Sequence, residues 1–141
     1  MTVSVLVVDD EPDIVELFKR RFRRELRNGE FSLQFAISGE DALNQLRTGL
    51  DPEVILILSD INMPGMTGID LLKQVKRIWP QLPVAMITAY GDDKNRSSAF
   101  EIGAADFLTK PLDFDKLRTT ISKMLASRRS QVHASKHPRG R

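Results

Sequence analysis

The sequence predicts an α/β protein: one domain built on a five-stranded parallel sheet with helices on both faces. Three observations carry that expectation. Short apolar runs with β-branched residues occur at Thr2 to Val8, at Val54 to Leu58, where the run is unbroken, and at Pro83 to Thr88, as in strands covered on both sides. Between the runs lie segments with apolar residues at helical spacing, so that strand and helix alternate five times. Each strand-helix-strand unit closes by a right-handed crossover, which leaves the strands parallel.

The first strand, Thr2 to Val8, ends at Asp9 and Asp10. Pro12 suits the opening turn of a helix, where its missing donor costs nothing, and Ile14, Leu17, Phe18, Phe22 and Leu26 mark the inward stripe. Lys19, Arg20, Arg21, Arg23, Arg24 and Arg27 make the opposite side a solvated basic face, and Asn28-Gly29 ends the helix. Phe31, Leu33 and Phe35 alternate with polar residues, the pattern of a strand with one exposed face near the sheet edge. A short helix follows over Gly39 to Thr48, with Ala42, Leu43 and Leu46 inward and Gly49 and Asp51-Pro52 closing it.

The central strand, Val54 to Leu58, runs into Ser59 and Asp60, and then Pro64, Gly65 and Gly68 turn the chain away. Ile69, Leu72, Val75 and Ile78 or Trp79 give the third helix its stripe, and Pro80 stops it. The fourth strand reaches Thr88; Gly91-Asp92-Asp93 opens a helix that ends at Gly103. Ala104 to Leu108 is the fifth strand and leads to Thr109-Lys110-Pro111. The last helix, Asp113 to Ala126, turns Phe114, Leu117, Ile121 and Leu125 inward.

At 141 residues the chain can bury a sizeable core without staples, and with no cysteine it has no disulfide, thiolate metal site or thiol nucleophile. No apolar run approaches bilayer length and none at the start resembles a secretory signal, so a cytoplasmic protein without a membrane partner is expected. The net charge is +2, but five of the 21 basic residues and none of the 19 acidic ones fall in residues 127–141. Residues 1–126 therefore carry 16 against 19, a net −3. The expected organisation is a domain over 1–126 followed by a basic, disordered tail over 127–141.

Strands one, three, four and five end in Asp9-Asp10, Asp60, Thr88 and Lys110. In a parallel sheet those ends share one edge, the edge where open α/β sheets bind ligands. Three carboxylates, a hydroxyl and an ammonium are thereby brought together. Clustered carboxylates repel unless a cation neutralises them, and an all-oxygen cluster suits magnesium, which takes one or two carboxylates, phosphate oxygens and water. Lys110 and Thr88 supply a charge and a hydrogen bond for a phosphoryl group in transfer. A carboxylate nucleophile would yield an acyl phosphate.

Four stretches carry a resemblance: Val7-Val8-Asp9-Asp10-Glu11, Ser59-Asp60-Ile61-Asn62-Met63-Pro64-Gly65-Met66-Thr67-Gly68, Thr88-Ala89-Tyr90-Gly91-Asp92 and Gly103-Ala104-Ala105-Asp106-Phe107-Leu108-Thr109-Lys110-Pro111. With them the chain resembles, over residues 3 to about 126, the receiver domain of bacterial two-component response regulators, the group typified by the chemotaxis response regulator. The resemblance implies a flavodoxin-like, doubly wound sheet in the order 2-1-3-4-5. It implies that Asp60 accepts phosphate from a histidine kinase or histidine phosphotransfer protein. Mg²⁺ would be held by Asp10, by Asp9 through water, by Asp60 and by the backbone carbonyl of Asn62. Thr88 and Lys110 would bind the phosphoryl oxygens, with a cis Lys110-Pro111 bond aiming the lysine. The switch residues would be Thr88 and Phe107, and here Phe107 departs from the tyrosine of many members, lacking a hydroxyl to bond at either end of its swing. Asn62 and Tyr90, two residues past Asp60 and Thr88, would gate the approach of water to the phosphoryl group. The segments around strand two and before strand three are a few residues longer than usual.

The expected function is that of a regulatory phosphoacceptor, standing alone or cut from a larger protein, which promotes only its own phosphorylation and dephosphorylation. Its state would pass to an unknown output protein through the face made by the fourth helix, fifth strand and fifth helix, with the chain a monomer or a weak dimer through that face. An aspartyl-nucleophile phosphatase would need a second aspartate two residues past the nucleophile, where this chain has Asn62. Nucleic-acid binding through the tail is disfavoured: its five charges lack interleaved aromatics. His133 and His137 have near metal-ligand spacing but lie in the tail and are read as inert.

Overall fold

A computed structural model describes residues 3–48, 53–89 and 93–136, without the side chains of Asp93 and of 128–136. Five strands, β1 (Val3–Val8), β2 (Ser32–Ala36), β3 (Glu53–Asp60), β4 (Val84–Thr88) and β5 (Asp106–Thr109), form a sheet in the order β2-β1-β3-β4-β5. All four pairings are parallel, as the alternation of elements requires. The sheet belongs to a compact unit that ends at Pro111, and α6 (Phe114–Lys136) belongs to a second unit that begins at Leu112.

Side chains alternate across the strands, so each buried strand feeds both faces. Leu6 and Val8 of β1 and Ile57 of β3 join a core cluster with Ala42 and Leu43 of α3 (Gly39–Arg47), Leu71, Leu72 and Val75 of α4 (Gly68–Ile78) and Ala99 of α5 (Asp93–Ile102). Val5, Val7, Leu56 and Leu58, one residue out of phase, are equally buried on the other side. Phe18 and Phe22 are also fully buried; Phe22 stacks on Phe18 at 5.9 Å and meets the Phe31 ring edge-on at 5.7 Å. Edge strand β2 is half-buried until Ala36, which is why its sequence alternates while that of β3 does not.

Where the pattern predicts one helix after Pro12, there are two, α1 (Asp13–Arg21) and α2 (Arg23–Arg27), divided at Phe22 with φ −106° and ψ 20°. The amide of Phe22 still donates to the Phe18 carbonyl and that of Leu26 to the Phe22 carbonyl, a one-residue distortion that periodicity does not register. In α4 the inward stripe is Gly68, Leu71, Leu72 and Val75, whereas Ile78, expected as an alternative to Trp79, is exposed. A capping box at Thr67 and Asp70 starts this helix. Helix α6 runs on to Lys136, so the first ten residues of the expected disordered tail are helical in the backbone. No glycine or proline interrupts the chain between Leu125 and Lys136, so nothing there breaks the helix. The closing residues 49–52 of α3, Gly91-Asp92 and residues 137–141, with His137, lie outside the described residues. Phe114, Leu117 and Ile121 of α6 are buried, as the stripe predicts.

Candidate functional site

Strand register builds the site. Val8 pairs with Ser59, so the next residue of each strand, Asp9 and Asp60, leave the sheet side by side. Asp60 pairs with Ile87 and Thr88 with Thr109, which brings β4 and the residue after β5 to the same edge. The Lys110 amide donates to the Thr88 carbonyl at 2.8 Å and so starts the post-strand loop beside β4. The Lys110-Pro111 peptide is cis.

One carboxylate oxygen from each of Asp9, Asp10 and Asp60 lies within 4.8 Å of the other two. Asp60 is 5% and Asp9 7% exposed, while Asp10 is open to solvent. The Lys110 Nζ stands 3.4 Å from Asp60 Oδ2. Thr88 ends β4 with no exposure. Burial pushes the Asp9 carboxyl above its ordinary range; repulsion from Asp60 and Asp10 adds to this, while the Glu11 amide and the Lys110 ammonium oppose it. Three converging carboxylates with one ammonium leave an excess of negative charge, and an all-oxygen donor set of this kind is what a hard divalent cation takes.

Two supports of Asp60 escape sequence reasoning. The Asn62 amide donates to Asp60 Oδ1 at 3.3 Å, fixing the carboxylate from the main chain. Gly68 closes the loop back on the strand: its amide donates to the Ile61 carbonyl at 2.9 Å, and a Cβ there would collide with the Asp60 carbonyl and meet the Ile61 Cα at 2.7 Å. Gly65, with φ +74°, takes the left-handed turn between them. The glycines in the motif are the only sequence signal of this close approach. Phe107 is buried at 3% exposure in β5. Tyr90 lies outside the described residues.

The chain matches the family model of the response regulator receiver domain over residues 5–122. It is 36% identical over 127 residues to the transcriptional regulatory protein ZraR of Salmonella typhimurium, covering 90% of this chain and 27% of that protein. It is also 36% identical over 132 residues to the DNA-binding transcriptional regulator NtrC of Klebsiella pneumoniae, again covering 27% of the relative. The chain thus spans about a quarter of the length of these curated relatives. Among solved structures, a response regulator receiver domain protein from Clostridium thermocellum superposes with a TM-score of 0.80 at 25% identity, covering 92% of this chain and 98% of that one. The receiver domain of NtrX from Brucella abortus gives 0.73 at 32% identity, covering 86% and 98%. With its parallel sheet, its acidic edge and these matches, the chain belongs to the response regulator receiver domain family of two-component signalling.

Proposed function

We propose that Asp60 is the phosphoacceptor, taking a phosphoryl group from a histidine kinase or histidine phosphotransfer protein. The observation that carries this reading is a buried carboxylate held between two further carboxylates and an ammonium at the mouth of a parallel sheet. An oxygen of Asp60 attacks phosphorus as the donor's nitrogen-phosphorus bond breaks; the electron pair leaves with the imidazole, which takes up a proton, and the aspartate becomes an acyl phosphate. The Asn62 amide orients the carboxylate. Lys110, now 3.4 Å from Asp60, is the group that would pair with an incoming phosphoryl oxygen, and Thr88 would give a second oxygen its hydroxyl. Asp9, Asp10 and Asp60, with the Asn62 carbonyl, would hold Mg²⁺, which when bound neutralises charge on the phosphoryl oxygens. Asn62 and Tyr90 would limit the access of water to the product, since neither is an acid able to orient it. The relatives' names favour a transcriptional output, joined to the receiver or bound by it.

Incubation with Mg²⁺ and acetyl phosphate, followed by intact mass, tests the assignment. One phosphoryl group is expected on the wild-type chain and none on Asp60→Asn. Undiminished labelling of that variant would overturn it.

A further inference from the structure

Phe100 is one of three large apolar side chains exposed among the described residues, at 43%. It is not a stray surface residue. Its ring lies 6.2 Å from that of Phe107, tilted by 44°, so that an exposed aromatic of α5 covers a buried aromatic of β5. Arg96, one turn earlier in α5, places its guanidinium carbon 5.6 Å from both ring centroids. One cation therefore serves two π-faces, one of them on the residue at the switch position.

We propose that Arg96 and Phe100 latch Phe107 in its buried position, with Arg96 as a positioning residue acting through the rings. The inference rests on the reading of Asp60 as phosphoacceptor and gives that site its route to the surface. A tyrosine at residue 107 could be held by its hydroxyl; phenylalanine has none, and the guanidinium supplies a polar contact from outside. Phe100 and Arg96 cover the Phe107 ring on the α5 side, so a ring that moves out past α5 parts from both. When it leaves, Phe100 loses its partner ring and the guanidinium is freed. The signal displayed on α5 is then a change in one ring and one cation, on a pre-existing equilibrium that a phosphoryl group would bias.

The test uses ¹⁹F NMR of the full chain carrying 4-fluorophenylalanine at its seven phenylalanines, with Phe107→Leu and Phe100→Leu assigning the two lines. Without any phosphodonor, Arg96→Gln should move the Phe107 line toward the solvent-exposed resonance, reflecting an exposed population raised about 2- to 5-fold, the worth of one exposed cation–π contact. Arg96→Lys, which keeps a cation, should stay nearer to wild type. An unmoved Phe107 line in Arg96→Gln, or equal displacement in the glutamine and lysine variants, would overturn the latch. Because this comparison needs no phosphoryl group, it stands apart from the labelling of Asp60, whose failure would sink the functional reading instead.

Discussion

At the ends of β1 and β3 the carboxylates are tied by main-chain amides, Asp9 Oδ1 to Glu11 N–H at 2.9 Å and Asp60 Oδ1 to Asn62 N–H at 3.3 Å. Within β5, by contrast, the side chain of Phe107 is held by ring packing against Phe100 beneath Arg96. A main-chain hydrogen bond fixes the direction of an oxygen, because its geometry is narrow. Stacked rings tolerate a range of offsets and tilts at similar energy. The two carboxylates are thus suited to be held still, and the Phe107 ring to rearrange without breaking the backbone.

Substitutions that separate stability from labelling put this contrast at risk. The largest change in stability is expected for Phe107→Ala: about 3–5 kcal/mol lost in urea unfolding, as for other buried aromatics, with the folded fraction still accepting a phosphoryl group. Labelling abolished in folded Phe107→Ala would show that the two sides are not separable. Gly68→Ala should cost about 1–3 kcal/mol, because its Cβ has no room against Asp60 and Ile61. Here labelling should fall further than stability predicts, as the Asp60 backbone is what must shift; a normal labelling rate would mean that the loop relaxes without disturbing the carboxylate. Thr67→Ala removes the N-cap of α4 and should cost about 1 kcal/mol, with labelling kept. Smallest of all, we propose that deleting residues 127–141 shifts the melting temperature by no more than about 2 °C and leaves labelling intact, since that stretch has no apolar stripe. A larger fall would assign it a docking role.

The site was legible because a parallel sheet converts remote positions into neighbours: once Val54 to Leu58 and Pro83 to Thr88 are read as strands, Asp60 and Thr88 must share an edge. Lys110 followed from the same rule. What stayed hidden depends on side-chain placement or on one-residue backbone changes. Nothing in the spacing of Arg96, Phe100 and Phe107 says that a guanidinium covers both rings, nor that the Asn62 amide turns back to Asp60. The division at Phe22 leaves the apolar period intact, and the extension of α6 was hidden by a polar composition that carries no helix breaker. The spacing in α4 admits more than one apolar stripe, and burial selects the one with Leu71 and Leu72.

The sheet order also governs how this chain can be made. β1 is paired on one side with β2 and on the other with β3, and the partners of Val3 and Val8 in β3 are Glu53 and Ser59, about 50 residues downstream. No two of the described strands can zip together from a hairpin, because all their pairings are parallel, so each pairing must first close a loop of intervening chain. During synthesis the first strand therefore waits for Asp60 itself to emerge before the centre of the sheet can form. The pairing that puts β3 beside β1 is therefore also the one that brings Asp60 to Asp9 and Asp10 at the acidic edge.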